Sequence, residues 1–594
     1  MMSGYIRAVA LLVSTSVRAA PWQSLACLGE GAGVVLDALR PLYLAWLITG
    51  VIDHDLATVT LAVLAFTVQI GIGRALMMLG MTARAGQLER VGYTLDTRIA
   101  HIIATLPTIE LLDDPDVRDR LQILRDDEGS LGLAVNTLLN SLNTGLGVAT
   151  TLALAISADW RLLLVAAAGA PAVLVAPLAV RWRARAETLS AEPGRLANHL
   201  LELSTQAASA GEIRTFNLAE PLRARLQDAA RRWVAPRSTV AIRDTYLSLA
   251  TQLVFFGTAG IVLAWVLSDV IDGTTATAAL ILALLVVSQL QSTSVELQSV
   301  IGQVAAMSRA AARYRWLVTL GNTLKASYEG TGELAAPLTS GLALDNVGYS
   351  YPGASRPALD GITLAITPGT TVAIVGENGA GKSTLVNVIT SLAKPTYGAI
   401  RVDGIDIADL DLGHWREHVS GAFQDHVRVE FTLGHAVGIG DLPQRDNAVL
   451  VEQAIQRGTA EPILAAAPHG LATQLGPSWP NGIGLSGGQW QRVALARGMM
   501  RTAAIIRVLD EPTSALDAHT EHEIFERYAA TAAAGRSTGT ITLLVTHRFS
   551  TVAAADRVIV MQDGQVTETG THTELMAMRG HYAELYNIQA QGYR

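Results

Sequence analysis

Six stretches of about 20 mostly apolar residues, the length a bilayer crossing needs, lie before residue 300 and limit what this chain can fold into. They run near Leu25–Val51, Leu56–Met81, Leu131–Ser157, Trp160–Val180, Tyr246–Leu267 and Thr275–Gln298. Lipid offers no hydrogen bonds, so a crossing segment must satisfy its own backbone, and a helix does so within one segment. Composition agrees. Half of the 594 residues are hydrophobic and 16% are charged, against about 25% charged in a typical soluble domain. The apolar excess ends near residue 300, and the rest of the chain has ordinary soluble composition.

Arginines orient the spans, because basic residues collect in cytoplasmic loops. The linker after the second span carries Arg84, Arg90, Arg98, Arg118, Arg120 and Arg125, and the linker from Arg181 to Arg243 carries more. The short loops Asp53–Asp55 and Ser268–Thr274 carry none. The long linkers and both ends of the chain are therefore expected in the cytoplasm, in the inner (plasma) membrane of a bacterial cell. Residues 1–20 suit a helix lying on the inner membrane surface better than a cleaved leader, since Arg18 precedes the small-residue site.

The net charge of −8 argues against a nucleic-acid surface. Cys27 is the sole cysteine, which excludes an intrachain disulfide and a multi-cysteine metal site. Within the first span, Glu30 and Asp37 share a helix face, and Asp37 and Arg40 are spaced to pair. Charges at that depth face a cavity, a partner or each other, so a substrate role and a structural salt bridge both stand. Gln289, Gln291, Gln298 and Gln303 give the sixth span a polar side, suited to a water-lined path or to interhelical hydrogen bonds.

From Leu342 the pattern turns to short β-rich runs. Thr371–Val375 leads into Gly376, Glu377, Asn378, Gly379, Ala380, Gly381, Lys382, Ser383 and Thr384, and a helical run comes next. This is G-x-x-x-x-G-K-S between strand and helix, a phosphate cradle. Glycines let backbone N–H groups turn inward, and the helix N-terminus adds positive potential. Lys382 supplies a point charge to the phosphates and Ser383 a hydroxyl to Mg²⁺. Ile505–Leu509 reads as a buried strand ending in the carboxylates Asp510 and Glu511. Arg507 interrupts it, and would have to snorkel or find an acid.

Together with Leu485-Ser486-Gly487-Gly488-Gln489, these motifs resemble the ATP-binding cassette family in order and type. The resemblance implies ATP and Mg²⁺ as cofactors, with Asp510, Ser383 and Gln424 serving the metal and Glu511 polarising the attacking water. It implies that Tyr351 stacks on adenine while Tyr349 belongs to the core. His547 would contact the γ-phosphate, and Asp517 would lie in the loop across the dimer interface. Ser486 to Gln489 would cover the γ-phosphate of a second copy of the domain, so a partner half is implied, identical or different. Six spans with two long linkers resemble the exporter-type membrane domain of the same family. Short helices at the linker tips, Leu111–Asp116 and Gly211–Asn217, would dock on the ATPase domains.

The expected organisation is an interfacial helix over 1–20, a six-helix membrane domain over 21–320, a linker over 321–341 and an α/β P-loop ATPase domain over 342–594. The expected function is ATP-driven export of an amphipathic or peptide-like small molecule by a dimer in the lipid bilayer, without nucleic acid. Uptake through the same fold, or an ATP-regulated channel or signalling subunit, are the alternatives.

Overall fold

The computed structural model describes residues 10–592 apart from 11–12, 16, 127–133, 207–208, 276, 329, 335–336, 512–526, 528–535, 537, 547–551 and 553–554. Most of 1–20, together with Asp517 and His547, thus lies wholly or partly outside it. The chain forms two compact units. One comprises residues 1–102 and 122–318, the other 103–121 and 319–594.

Among the described residues of the chain, six helices are long and apolar enough to cross a membrane. The first crossing is α1 (Pro21–Ala38) followed by α2 (Arg40–Ile52). The break falls at Leu39, just before Pro41, which has no N–H to continue the ladder. The second crossing, α3 (Leu56–Ala104), runs 49 residues. After α4 (Glu110–Asp113) and α5 (Pro115–Asp126) come α6 (Ala134–Ala158) and α7 (Leu162–Thr205). Then α8 (Ala210–Thr215) leads to α9 (Ala219–Ile271) and α10 (Thr277–Ala326). The helices α3, α7, α9 and α10 continue far past or before their apolar stretches. The sequence marks only the lipid-facing part of each, because a helix in water keeps the same backbone without the same apolarity.

Two features hold α7 against α9. Gly169, Ala172, Ala176 and Ala179 of α7 are buried along one stripe, and small residues let backbones approach closely; Gly169 faces Ser294 of α10. A Cβ on Gly194 would lie 2.9 Å from Nε1 of Trp233. At one end, Arg161 pairs with Asp269 at 2.6 Å and lies over the Trp265 ring at 4.3 Å, tying the short loop before α7 to the end of α9.

The second unit carries two sheets. An antiparallel one has the order β2-β1-β4-β5, from β1 (Leu342–Tyr349), β2 (Leu359–Ile366), β4 (Tyr397–Val402) and β5 (Ile405–Asp406). The other has the order β10-β9-β3-β8-β7-β6. It contains β3 (Thr371–Gly376), β6 (Val419–Ala422), β7 (Ile506–Asp510), β8 (Ile541–Val545), β9 (Arg557–Gln562) and β10 (Gln565–Gly570). Strands β6, β7, β8, β3 and β9 pair in parallel, and β10 closes the edge antiparallel. Strands β7 and β8 are buried along their whole length, as expected where helices cover both faces of a parallel sheet. Val372, Ile374, Ile506 and Val508 join the core around Trp415, while Ala373 and Val375 meet Val558, Val560 and Tyr582 on the other face.

Arg507 does not snorkel. It is 6% exposed within β7, reaches only the Arg501 carbonyl at 3.4 Å, and no acid pairs with it among the described residues. Burial pulls its pKa down.

Residues 103–121, from the first linker tip, pack with the second unit. Ile109 N–H donates to the Leu392 carbonyl at 2.9 Å, and the Arg416 guanidinium donates to the Pro107 carbonyl. Arg416 sits on the short helix Leu412–Glu417, capped by the Asp411 carboxylate. Burial also pulls its pKa down, a sign of desolvation. Beside it, burial pushes the Tyr328 phenol up to about 12, and Lys394 lies 5.2 Å over that ring. The tip is two short helices joined at an extended Asp114. The second tip, α8, has no buried residue. Arg416→Ala should speed hydrogen exchange at the Ile109 amide by about 10–100-fold, since a hydrogen bond from a charged group contributes about 1.5–3 kcal/mol. Unchanged exchange would mean the tip is held without it.

Candidate nucleotide site

The site begins where β3 ends. Gly376 has φ 153° and Gly381 φ 98°. A Cβ at Gly376 would meet the Met561 carbonyl oxygen of β9 at 2.2 Å, and one at Gly381 the Ala358 oxygen at 2.6 Å. Both positions require glycine on steric grounds. The loop ends at the N-terminus of α11 (Lys382–Ile389), whose N-cap is Gly381 and which has no side-chain cap. Its first amides are left for a ligand.

Lys382 is 7% exposed and folds back onto the loop, donating to the carbonyls of Gly376 at 2.9 Å and Glu377 at 2.8 Å. Burial pulls its pKa down, against the pull of Glu511 and Asp510. Asp510 ends β7 with burial pushing its carboxyl up to about 6; the Glu511 charge adds, while a Ser383 hydroxyl bond and Lys382 oppose. Its Oδ1 is buried with no hydrogen-bond partner among the described residues. A buried, orphaned carboxylate oxygen beside a serine hydroxyl and a carbonyl-bound ammonium fits a metal–phosphate ligand. Ser383 and Asp510, with Gln424 beside them, are the residues that fit Mg²⁺.

A cavity of about 780 Å³ joins these parts. Its walls include the loop from Gly376 to Thr384, except Ala380, with Tyr351, Gln424 and Glu511. Ala380 lies beneath, 4% exposed. The Tyr351 hydroxyl meets Thr384 Oγ1 at 3.1 Å, and its ring packs edge-on against Tyr349 at 5.0 Å. Tyr351 is 37% exposed and Tyr349 1%, so one ring is available to a base and the other is core.

Glu511 adopts φ 46°. That left-handed turn is costly for a residue with a Cβ, and it is braced at both ends. Its N–H donates to the Val545 carbonyl at 3.0 Å, and its carbonyl accepts from Gln491 Nε2 at 3.1 Å. Gln491 lies on the helix Gly487–Gly498. Sequence reading passed over this role, since a lone glutamine after the signature carries no pattern. Leu585 and Ile588, from the C-terminal helix His581–Gly592, also line the cavity without a motif to mark them.

Ser486, Gly487, Gly488 and Gln489 do not line this cavity. They open the helix Gly487–Gly498, with Ser486 as N-cap. Ser486 Oγ accepts from the Gln489 N–H at 3.3 Å, and Gln489 Oε1 accepts from the Ser486 N–H at 2.8 Å. Ser486 and Gly487 are exposed.

A glycine cradle, a buried lysine and a carboxylate pair at the ends of parallel strands are the parts of a P-loop nucleotide site, here in a chain whose described residues include six membrane-length helices. Residues 359–514 match the family described as ABC transporter. Similar proteins include an "ATP-dependent lipid A-core flippase" of Thiobacillus denitrificans, 39% identical over 260 residues, covering 44% of this chain and 43% of that one. A protein of the same description from Bordetella avium is 33% identical over 352 residues, covering 59% and 57%. The chain thus spans about half the length of these relatives. The fold resembles the "Structure of a bacterial Atm1-family ABC exporter with ATP bound", with TM-score 0.72 and 23% identity over 96% of this chain and 99% of that one. Residues 359–514 thus carry the ABC transporter domain, and the fold of the chain resembles that of the solved exporter.

The raised Asp510 pKa has a consequence for stability without nucleotide. Below about pH 4 the carboxyl is neutral both folded and unfolded, and burial costs nothing extra. Above about pH 6 it is ionised in both, and the fold bears the whole cost of the shift. Asp510→Asn should therefore stabilise the nucleotide-free protein at pH 7 by about 3 kcal/mol, with the gain vanishing toward pH 4. Denaturant titrations at both pH values measure this; equal gains would contradict it.

Proposed function

We propose that this chain is one half of an ATP-driven exporter that moves an amphipathic small molecule across the inner membrane. The observation that carries the reading is that the phosphate cradle, Gln424 and Glu511 meet at one cavity, with Asp510 buried beside Ser383, while the signature opens outside it. A second chain would then supply Ser486 and Gly488 over this chain's nucleotide. It could be an identical copy, since the sequence has every catalytic residue, or a different half.

Mg²⁺, held by Ser383 and Asp510 with Gln424 alongside, would neutralise phosphate charge when bound. The chain's own groups do the rest. Lys382 exchanges its two carbonyl bonds for phosphate oxygens. Glu511, fixed by Val545 and Gln491, orients or deprotonates the attacking water. His547 and Asp517 would serve the γ-phosphate and the dimer interface. Closure over ATP would pull on the linker tip that Arg416 and Leu392 hold, and so reach the membrane helices. In this reading residues 1–20 form the interfacial helix, 21–320 the membrane domain, 321–341 the linker and 342–594 the ATPase domain, with both ends cytoplasmic.

Export fits the named relatives, which are flippases, and their name favours a lipid-like amphiphile over a peptide.

Glu511→Gln should retain ATP binding and lower Mg²⁺-dependent hydrolysis by about 100-fold or more, the scale of lost general-base catalysis. Turnover at the wild-type rate would remove Glu511 from its role. In proteoliposomes with the ATPase units outside, ATP should drive a fluorescent lipid amphiphile into the lumen. ATP-driven loss of preloaded amphiphile would show import instead.

A further inference from the structure

A second cavity, of about 640 Å³, lies wholly within the membrane unit. Its lining carries three carboxylates, Glu30, Asp37 and Glu296, and two cations, Arg40 and Arg74. The pairings are unequal. Glu30 is bound by Arg84 Nε at 2.7 Å, and Asp37 by Arg40, one turn along the first crossing. Among the described residues no ion pair reaches Glu296, which is exposed and lines the cavity.

Gln69 supplies the independent observation. It is 3% exposed and lines the same cavity. Its Nε2 donates to Asp37 Oδ1 at 3.3 Å. Its Oε1 is buried with no hydrogen-bond partner among the described residues. A buried acceptor without a donor costs about 1–3 kcal/mol, so this oxygen awaits an N–H or O–H. The amide is held in that sense by its other end, which is committed to a carboxylate. The carboxylates Asp37 and Glu296 line the same cavity, and of its two cations Arg40 is already committed to Asp37. No trio of metal-binding side chains occurs among the described residues, which favours an organic cation over a metal ion. Phe66, Ile70 and Met77 on the same helix as Gln69 give the cavity an apolar wall.

We propose that α1, α3 and α10 frame a subsite for the cationic amine of an amphiphilic substrate, gripped by Glu296, Asp37 and Gln69. The apolar wall takes the substrate's hydrocarbon part. This rests on the exporter reading for its biological sense, since it names the class of molecule carried. It stands physically on the cavity alone. Arg74 is the rival pole: if it governed recognition, an anionic amphiphile would be preferred.

The test uses the assembled protein in phosphatidylcholine nanodiscs without nucleotide. Three fluorescent probes share one alkyl chain and end in a primary ammonium, a hydroxyl or a carboxylate, and binding is read by anisotropy. The ammonium probe should bind at least about tenfold more tightly than the hydroxyl probe, as a charged hydrogen bond in a desolvated site allows. Glu296→Gln should erase that preference, and Gln69→Leu should cut it by at least about fivefold. Preference for the carboxylate probe, equal binding of all three, no binding of the ammonium probe, or a preference unchanged in Glu296→Gln would each overturn the proposal. Because no ATP is present, a protein that imports, or that fails to hydrolyse ATP, would still show the ammonium preference if the subsite is right. Failure of the exporter reading and failure of the subsite are thus read separately.

Discussion

Buried charge without a partner is expensive, and the ATPase unit concentrates that cost at one point. Lys382, Asp510 and Glu511 converge at the C-terminal ends of β3 and β7, where the sheet is buried. Lys382 is held by two backbone carbonyls, Asp510 has an orphaned oxygen, and Glu511 sits in a strained turn. A phosphate with its metal would offer partners to Lys382 and to the Asp510 oxygen. The glycines that permit the loop, the parallel order of the strands and the Gln491 brace all serve to hold this unsatisfied arrangement in place.

The same reasoning connects the site to the rest of the chain. Gln491 binds the backbone of Glu511 and lies on the helix that Ser486 opens. Glu511 and the signature are therefore joined through one helix. On another side, Leu392 lies just beyond the helix that Lys382 begins, and its carbonyl receives the Ile109 amide of the linker tip. One helix and the turn after it lie between the phosphate cradle and the segment that continues into the membrane helices.

Much of the site was legible in the sequence because its chemistry demands fixed residue types at fixed spacing. A phosphate cradle needs glycines where a Cβ would strike β9, and Gly376 and Gly381 are there. Tyr349 ends β1 as a core ring, as its place in the strand implied, while Tyr351 lies past the strand end and is partly exposed. Arg507 did not read correctly, because nothing in a strand pattern tells whether a long cation can reach solvent. Gln491 and Arg416 bind backbone carbonyls, which leave no trace in the sequence of the partner segment. Gln69 and Glu296 were missed for a related reason: a polar residue in an apolar span looks alike whether it meets a helix neighbour or a cavity.

By itself the sequence determined that the chain has six lipid-compatible helices and a P-loop ATPase, because both arise from local rules. Apolar length decides the helices, and glycine, lysine and acid spacing decides the cradle. The docking of the first linker tip and the signature's place outside its own chain's cavity were expected from the resemblance. Only the tertiary structure decided which backbone groups hold the tip, and that a neutral amide from one helix shares a cavity with carboxylates from two others. These depend on which distant segments meet, and that is set by packing shape and by the need to satisfy buried polar atoms across the chain.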